Sequence, residues 1–361
     1  MEQKSIVPLQ AFDSALKQSG LDARHRRDFP DDWSRVSDRV DYLPVKYSGT
    51  SIDYDSSYWI GNGVDFHDAS LVLYYDKQPC AIWPLSVMGG ERFTFGSCGG
   101  MLMAPVFDQR LALRSVKKVI AGCLEFADIF CRENSIPAWE SRESFSAKFG
   151  FGEWHIQAMQ LGAQACVRHD IFVDLSMDIA AIKNRFRKSY KSLITSGKQH
   201  FNVGLLDAEG DKKVWQEFRA LHLAAAGRAT RSEDSWDLQY LALTKGEIFL
   251  VHLSDHSGRM VGGALFHVTR DEGYYSVGAY DRDLFDKPIG HLIQYEAIEE
   301  MKRRGVRWYF IGGRPFPAEP PVLSEKQKAI VLFQNGFATH TFPRFIVTRK
   351  IESKPDKLST S

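Results

Sequence analysis

Cysteine is scarce and carries no metal or disulfide pattern. The chain has five, Cys80, Cys98, Cys123, Cys131 and Cys166. The number is odd and no pair is spaced C-x-x-C, which argues against a disulfide framework and against a structural zinc site. Buried or incidental thiols remain, and no metal is expected. An excess of charge of one sign is missing too. Lys and Arg number 46 and Asp and Glu 45, a net charge of +1, so no global field draws the chain to nucleic acid or to a membrane. Any grip on phosphate has to come from local clusters. No apolar run approaches the ~20 residues that span a bilayer. The opening MEQKSIVPLQ has no basic stretch followed by an apolar one, so no signal peptide is read there and a cytoplasmic protein is expected. H-E-x-x-H and P-loop motifs are absent and no Ser-His-Asp order is compelling, so covalent catalysis is not indicated.

What is present is an ordinary globular composition, 44% hydrophobic and 25% charged over 361 residues, enough for about two domains. Residues 1–60 read as irregular. Ser70–Tyr75 and Pro79–Leu85 flank Asp76-Lys77-Gln78 as a hairpin. Phe93–Gly96 reads as a strand leading into the turn Ser97-Cys98-Gly99-Gly100. An amphipathic helix over about Gln109–Glu133 and a strand Ile136–Ser141 follow. The second half repeats this order. Glu247–Leu253 and Met260–Val268 surround a polar turn. Gly273–Tyr280, a helix from Ile289 to Arg304 and the strand Val306–Ile311 come next. In that register Gly96 maps to Gly278 and Pro105 to Pro288. Between the halves, helices are expected over Met177–Gly197, Asp211–Ala226 and Ser232–Thr244. The tail after Arg349 reads as disordered.

Four features could carry chemistry. Lys183, Arg187 and Lys191 are spaced i, i+4, i+8 in a stretch without acids. On one helix they would share a face, suited to a polyanion or to a solvated surface. Arg228 and Arg231 fall in a tight connection after His222 and before Trp236, where two guanidinium groups can grip an anion and Trp236 can offer a stacking face. Gly278-Ala279-Tyr280-Asp281 precedes Pro288-Ile289-Gly290-His291, a helix start whose free N–H groups favour anions. Gly312, Gly313 and Arg314 end a strand where a ligand could approach closely, and Lys326 and Lys328 lie on a short helix beyond it.

Together the segments NRFRKSYKSLITSGKQ, AGRATRSEDSW, GAYDRDLFDKPIGHLIQYEAIEEMKRRG and YFIGG resemble the FemAB-like branch of the GNAT superfamily, including its BioF2-like acetyltransferase domains. The likeness covers roughly residues 178–340. It implies an α/β (α+β) fold of two tandem GNAT-like units with mixed sheets flanked by helices. Residues 1–170 would form a degenerate unit, 171–349 the FemAB/BioF2-like unit and 350–361 a tail. It also implies N-acylation of an amine, with acyl-CoA or aminoacyl-tRNA as co-substrate and no permanently bound cofactor. The family's phosphate-binding roles map onto Lys328 and Arg314, and the donor's pyrophosphate onto the helix start at Gly290 and His291. The sequence departs from the family in two places. The Gly-rich pyrophosphate loop is reduced to Gly290, and no long coiled-coil insertion for tRNA is present.

Three readings follow. One is an N-acyltransferase acting on an amino sugar or on a cell-envelope or polysaccharide precursor, the amine being small or lipid-linked. Another is an aminoacyl-tRNA-dependent transferase that builds peptidoglycan bridges, with tRNA held by Lys183, Arg187 and Lys191. The last is a silent binding module. In the enzymatic readings Asp281, His222 or His291 is the base, Tyr280 donates to the oxyanion, and Arg228, Arg231, Trp236, Gly312, Gly313 and Arg314 hold substrate.

Overall fold

The computed structural model describes residues 8–90, 94–96, 100–145, 150–316, 319 and 323–352. The expected turn at Ser97, Cys98 and Gly99, the expected start of a strand at Phe93 and the tail beyond Glu352 lie outside them. The chain divides into two compact units. One comprises Met1–Tyr47, Gly63–Val167 and Arg344–Ser361, the other Ser48–Asn62 and Arg168–Pro343.

The stretch expected to be irregular holds three helices, α1 (Pro8–Ser19), α2 (Pro30–Ser37) and α3 (Gly49–Gly61), and the strand β1 (Ala23–His25). Pro30 opens α2 with Asp31 and Asp32 in its first turn, both favourable at a helix start. Ser48 caps α3 by accepting from the Ser51 amide. In the first unit there follow β2 (Phe66–Asp68), β3 (Leu71–Tyr75), β4 (Gln78–Trp83), β5 (Ser86–Met88), β6 (Thr94–Phe95), β7 (Leu102–Met103) and β8 (Val106–Phe107). The helices α4 (Leu113–Glu133) and α5 (Glu153–Gln160) flank β9 (Ala138–Arg142). Asp76 and Lys77 both take positive φ, 48° and 63°, the pairing that a two-residue hairpin between twisted strands requires. Strand order is β1-β3-β4-β8 in one sheet and β2-β5-β6 in another. β7 and β9 pair in parallel across α4. The strand that corresponds to β14 by its parallel partner is therefore β7, whereas Gly96 follows β6 in the β2-β5-β6 sheet, so the Gly96–Gly278 alignment pairs strands in different places. The core of this unit joins Trp83, Phe126, Phe130, Trp139 and Trp154.

The chain continues through β10 (Gln164–Asp174), α6 (Ile179–Arg185), α7 (Lys188–His200), β11 (Asn202–Leu206), α8 (Lys212–Ala226) and α9 (Glu233–Thr244). The strands β12 (Ile248–Ser254), β13 (Met260–Val268) and β14 (Glu272–Tyr280) precede α10 (Ile289–Arg303). β15 (Trp308–Gly313), α11 (Glu325–Asn335) and β16 (His340–Lys350) complete it. Within the second unit the sheet order is β11-β12-β13-β14-β15-β10. All neighbours are antiparallel except β14 and β15, which α10 joins in parallel, the mark of a strand–helix–strand crossover. One face of the sheet packs Phe249, Phe266 and Tyr309 with Ile194 of α7 and Leu292 and Ile298 of α10. The other packs Leu250, Leu265 and Val277 with Trp215, Phe218 and Trp236 of α8 and α9. The α/β class and the tandem arrangement match the expectation from sequence.

The helix expected over Met177–Gly197 is broken. Phe186 and Arg187 are extended between α6 and α7, because Phe186 packs on Phe337 and the Arg187 amide donates to the Gly336 carbonyl. Ser176 donates to Asp174 through its amide and its hydroxyl. Gly197 does not stop α7, which runs on to His200. A Cβ there would lie 3.0 Å from Leu292, so the glycine sets the approach of α10.

Candidate functional site

Two features of the second unit converge around β14. The first is an opening in the sheet. β14 and β15 pair only from Glu272↔Trp308 to Tyr274↔Phe310, where Tyr274 and Phe310 stack with centroids 5.9 Å apart. Beyond that point β14 runs on to Tyr280 beside β13, while β15 stays paired with β10, as it is from Asp174↔Trp308 to Asp170↔Gly313. β14 also carries a bulge, its register with β13 shifting between Leu265 and Phe266. Bulges re-aim side chains, and this one brings the hydroxyls of Tyr275 and Tyr280 to 3.3 Å. Gly278 is required there, since a Cβ would fall 1.9 Å from the Tyr275 hydroxyl. Burial raises the pKa of both phenols, so both stay protonated at neutral pH.

The second feature is a cavity of about 270 Å³ beside α8 and α9, lined by Arg219, His222, Thr230, Arg231, Glu233 and Trp236 among others. Asp211 caps α8 and Gly227 ends it with φ +71°. Ser232 caps α9 by accepting from the Ser235 amide. These caps fix the short connection that carries Arg231. Its Nε donates to the Tyr54 hydroxyl at 2.9 Å, and Nη1 donates to His222 Nε2 at 2.8 Å and to Thr230 Oγ1 at 3.2 Å. The guanidinium carbon lies 5.7 Å from the Tyr58 ring centre and 5.5 Å from that of Trp236. Its charge acts on Tyr275, opposing the rise that burial causes. Sequence reasoning missed Tyr54 and Tyr58 because it had no helix at 49–61, and it missed Tyr275.

These contacts bear on several of the expected roles. His222 accepts from Arg231 through Nε2, which leaves the other nitrogen protonated in the neutral ring and no lone pair to act as a base. Asp281 pairs with Arg259 at 2.7 Å and accepts from the Asp283 amide. Arg259 holds its carboxyl below the usual range, which makes it a weak base. The His291 ring sits 4.5 Å from Tyr190, 5.0 Å from Phe333 and 6.1 Å from Phe337. It is neutral and offers no cation to a pyrophosphate. A Cβ at Gly290 would meet Phe333 at 3.3 Å, so that ring overlies the α10 start. Gly312 faces Gln334. The Arg314 amide bonds to the His169 carbonyl and its guanidinium to Thr341. Gly312, Gly313 and Arg314 do not line the Arg231 cavity. Arg228 is exposed and does not line it either. Lys328 pairs with Glu325 at the surface.

The basic face dissolves with the helix break. Lys183 lies over Tyr295, Arg187 donates to the Leu332 carbonyl and Lys191 to Asn184. Among the described residues, no three His, Cys, Asp or Glu side chains gather as a metal site, and no helix is long and apolar enough to cross a membrane.

The two half-buried histidines give a pH prediction. Burial first, then Arg231 for His222 and Arg187 for His291, lowers each from 6.5 to about 4. Between those values the unfolded chain binds protons that the folded chain refuses. Their contribution is therefore whole above about pH 6.5 and is lost as pH falls towards 4. Discounted for partial exposure, it is on the order of 2 kcal/mol each. In urea unfolding at about pH 7.5 and pH 4.5, His222→Gln should lose less stability than wild type between the two by about 1–2 kcal/mol. An equal loss would mean that the ring titrates normally.

Residues 180–318 match the model of the acetyltransferase (GNAT) domain family. Among solved structures the chain is similar to FemX, at 13% identity over 81% of this chain and 90% of that one with a TM-score of 0.58. It is similar to the C-terminal domain of a putative lysylphosphatidylglycerol synthetase from Agrobacterium fabrum, at 12% identity over 88% and 91%, TM-score 0.55. L-PGS from Bacillus licheniformis gives 11% over 88% and 90%, TM-score 0.54. At these identities the likeness is one of fold. No curated protein matches the chain.

Proposed function

We propose that the chain, whose residues 180–318 match the acetyltransferase (GNAT) domain family and whose fold is similar to that of FemX, transfers an acyl group to the nitrogen of a small or lipid-linked amine, such as an amino sugar or another cell-envelope precursor. The observation that carries this reading is the parting of β14 from β15 after Tyr274 and Phe310. Among the described residues, the β14 edge from Tyr275 to Tyr280 that faces away from β13 has no strand partner. An extended donor arm can bond along such an edge as an added strand would. Its acyl carbon then lies in the opening, near the Tyr275–Tyr280 pair.

The amine lone pair attacks the acyl carbonyl carbon. A C–N bond forms, the C–S bond of a thioester or the C–O bond of an aminoacyl ester breaks, and the amine proton is lost. Tyr280, kept protonated by burial, donates to the developing oxyanion or to the leaving atom. His222, Asp281 and His291 are engaged as described above. The amine therefore enters neutral and gives its proton to water, so the rate should rise with pH through the acceptor's own pKa. Acyl-CoA is the donor that this geometry favours. The three cations assigned to tRNA are turned to separate partners and form no common face.

Purified protein incubated with acyl-CoAs or with charged tRNAs, and with amino sugars and amino-sugar nucleotides as acceptors, tests the reading by mass spectrometry. An acylated amine formed from acyl-CoA is the expected product. Product from charged tRNA alone would replace the donor, and no product from either would leave a binding module.

A further inference from the structure

The Arg231 cavity specifies more than a general anion. Resting on the acyl-transfer reading, we propose that it is a carboxylate site, and that the amine acceptor carries a carboxylate bound by Arg231 Nη2.

The argument is a count of donors. A guanidinium has five N–H groups. Nε donates to Tyr54, and Nη1 donates to His222 and Thr230. Among the described residues, none accepts from Nη2, and Arg231 lines the cavity. Two N–H groups on one nitrogen suit a carboxylate oxygen. A phosphate brings three or four oxygens and up to two charges, and much of it would go unmatched.

The charge balance points the same way. Arg219 also lines the cavity, but Glu233 neutralises it at 2.5 Å. His222 is neutral. The cavity therefore presents a single unbalanced positive charge, which one carboxylate cancels. The guanidinium lies over the Tyr58 and Trp236 rings, and Tyr54 and His222 accept from it. It is ordered before a ligand arrives, which lowers the cost of binding. Gln216 and Thr230 stand in the same wall for the second carboxylate oxygen.

The probes are propionate, propionamide and inorganic phosphate, titrated by calorimetry into the full chain at constant ionic strength. Propionate should bind in the millimolar range, as suits a ligand of five heavy atoms. Propionamide should bind at least about 10-fold more weakly, and phosphate more weakly than propionate. Arg231→Gln should lose at least about 10-fold in propionate affinity, with the fold checked by thermal unfolding. Equal binding of propionate and propionamide, tighter binding of phosphate, or full affinity in Arg231→Gln would each overturn the proposal. Wild-type selectivity needs no variant to fold. Binding also needs no turnover, so propionate selectivity without acyl transfer keeps the site and removes the reaction. Acyl transfer to amines without carboxylates, with no propionate selectivity, does the reverse.

Discussion

Tyr280→Phe is expected to lower kcat by about two to three orders of magnitude, as loss of one oxyanion donor does, with unfolding free energy within about 1 kcal/mol of wild type. The ring keeps its packing beside β13 and α10, so the change reaches only the hydroxyl. Its contact with the Tyr275 hydroxyl is 3.3 Å, long for an O–H···O bond and worth little to the fold. In the reaction the same hydroxyl is the donor nearest the end of β14 that stays protonated at neutral pH. An interaction made chiefly in the transition state shows as a fall in kcat with KM little changed. Tyr275→Phe is the control. It removes the partner and leaves the donor, so its effect should be about 10-fold or less. Steady-state kinetics on both variants decide the matter, and full activity in Tyr280→Phe would take this hydroxyl out of the chemistry.

How much of this was legible in sequence differs from element to element. The connection that carries Arg231 was, because caps are local. Asp211, Gly227 and Ser232 each act within a few residues of themselves, and such signals survive in any tertiary setting. α10 and β15 were legible from periodicity, and the hairpin from Asp76 and Lys77. The break at Phe186 was not. No Pro or Gly marks it, and its causes, Phe337 and the Gly336 carbonyl, lie about 150 residues on. α3 was hidden for another reason. GTSIDYDSSYWIG is rich in Gly, Ser, Thr and Asp, poor helix formers whose preference packing overrides. Missing α3 meant missing Tyr54 and Tyr58, and with them the fact that Arg231 is held on several sides. The Arg259–Asp281 pair had a readable signal. Arg259 stands just before β13 and Asp281 just after β14, and an antiparallel pair with Gly262 opposite Tyr280 brings them together. Their opposite charges in that register point to an ion pair rather than to a base.

Phe218→Ala should cost the second unit about 3–5 kcal/mol, whereas Phe218→Leu should cost about 1.5 kcal/mol or less. Phe218 is fully buried on α8, its ring 6.2 Å from Trp236 and 6.3 Å from Trp215. Gly263 makes room for it, since a Cβ there would lie 2.8 Å from the ring. The fit of a bare backbone to an aromatic edge leaves few ways to close the void that alanine would create, which places the cost towards the upper end. His222 lies one helical turn further on α8, and Trp236 is shared between this core and the Arg231 cavity. A loosened α8 therefore loosens the wall that orders the guanidinium. The alanine variant should lose propionate affinity as well as stability, while the leucine variant, which keeps most of the volume, should lose little of either. Denaturant unfolding and calorimetry on the two variants measure both effects. A stable Phe218→Ala protein with unchanged affinity would show that the cavity is ordered without α8 packing, and the preorganisation argued for Arg231 would have to come from Tyr54 and Tyr58 alone.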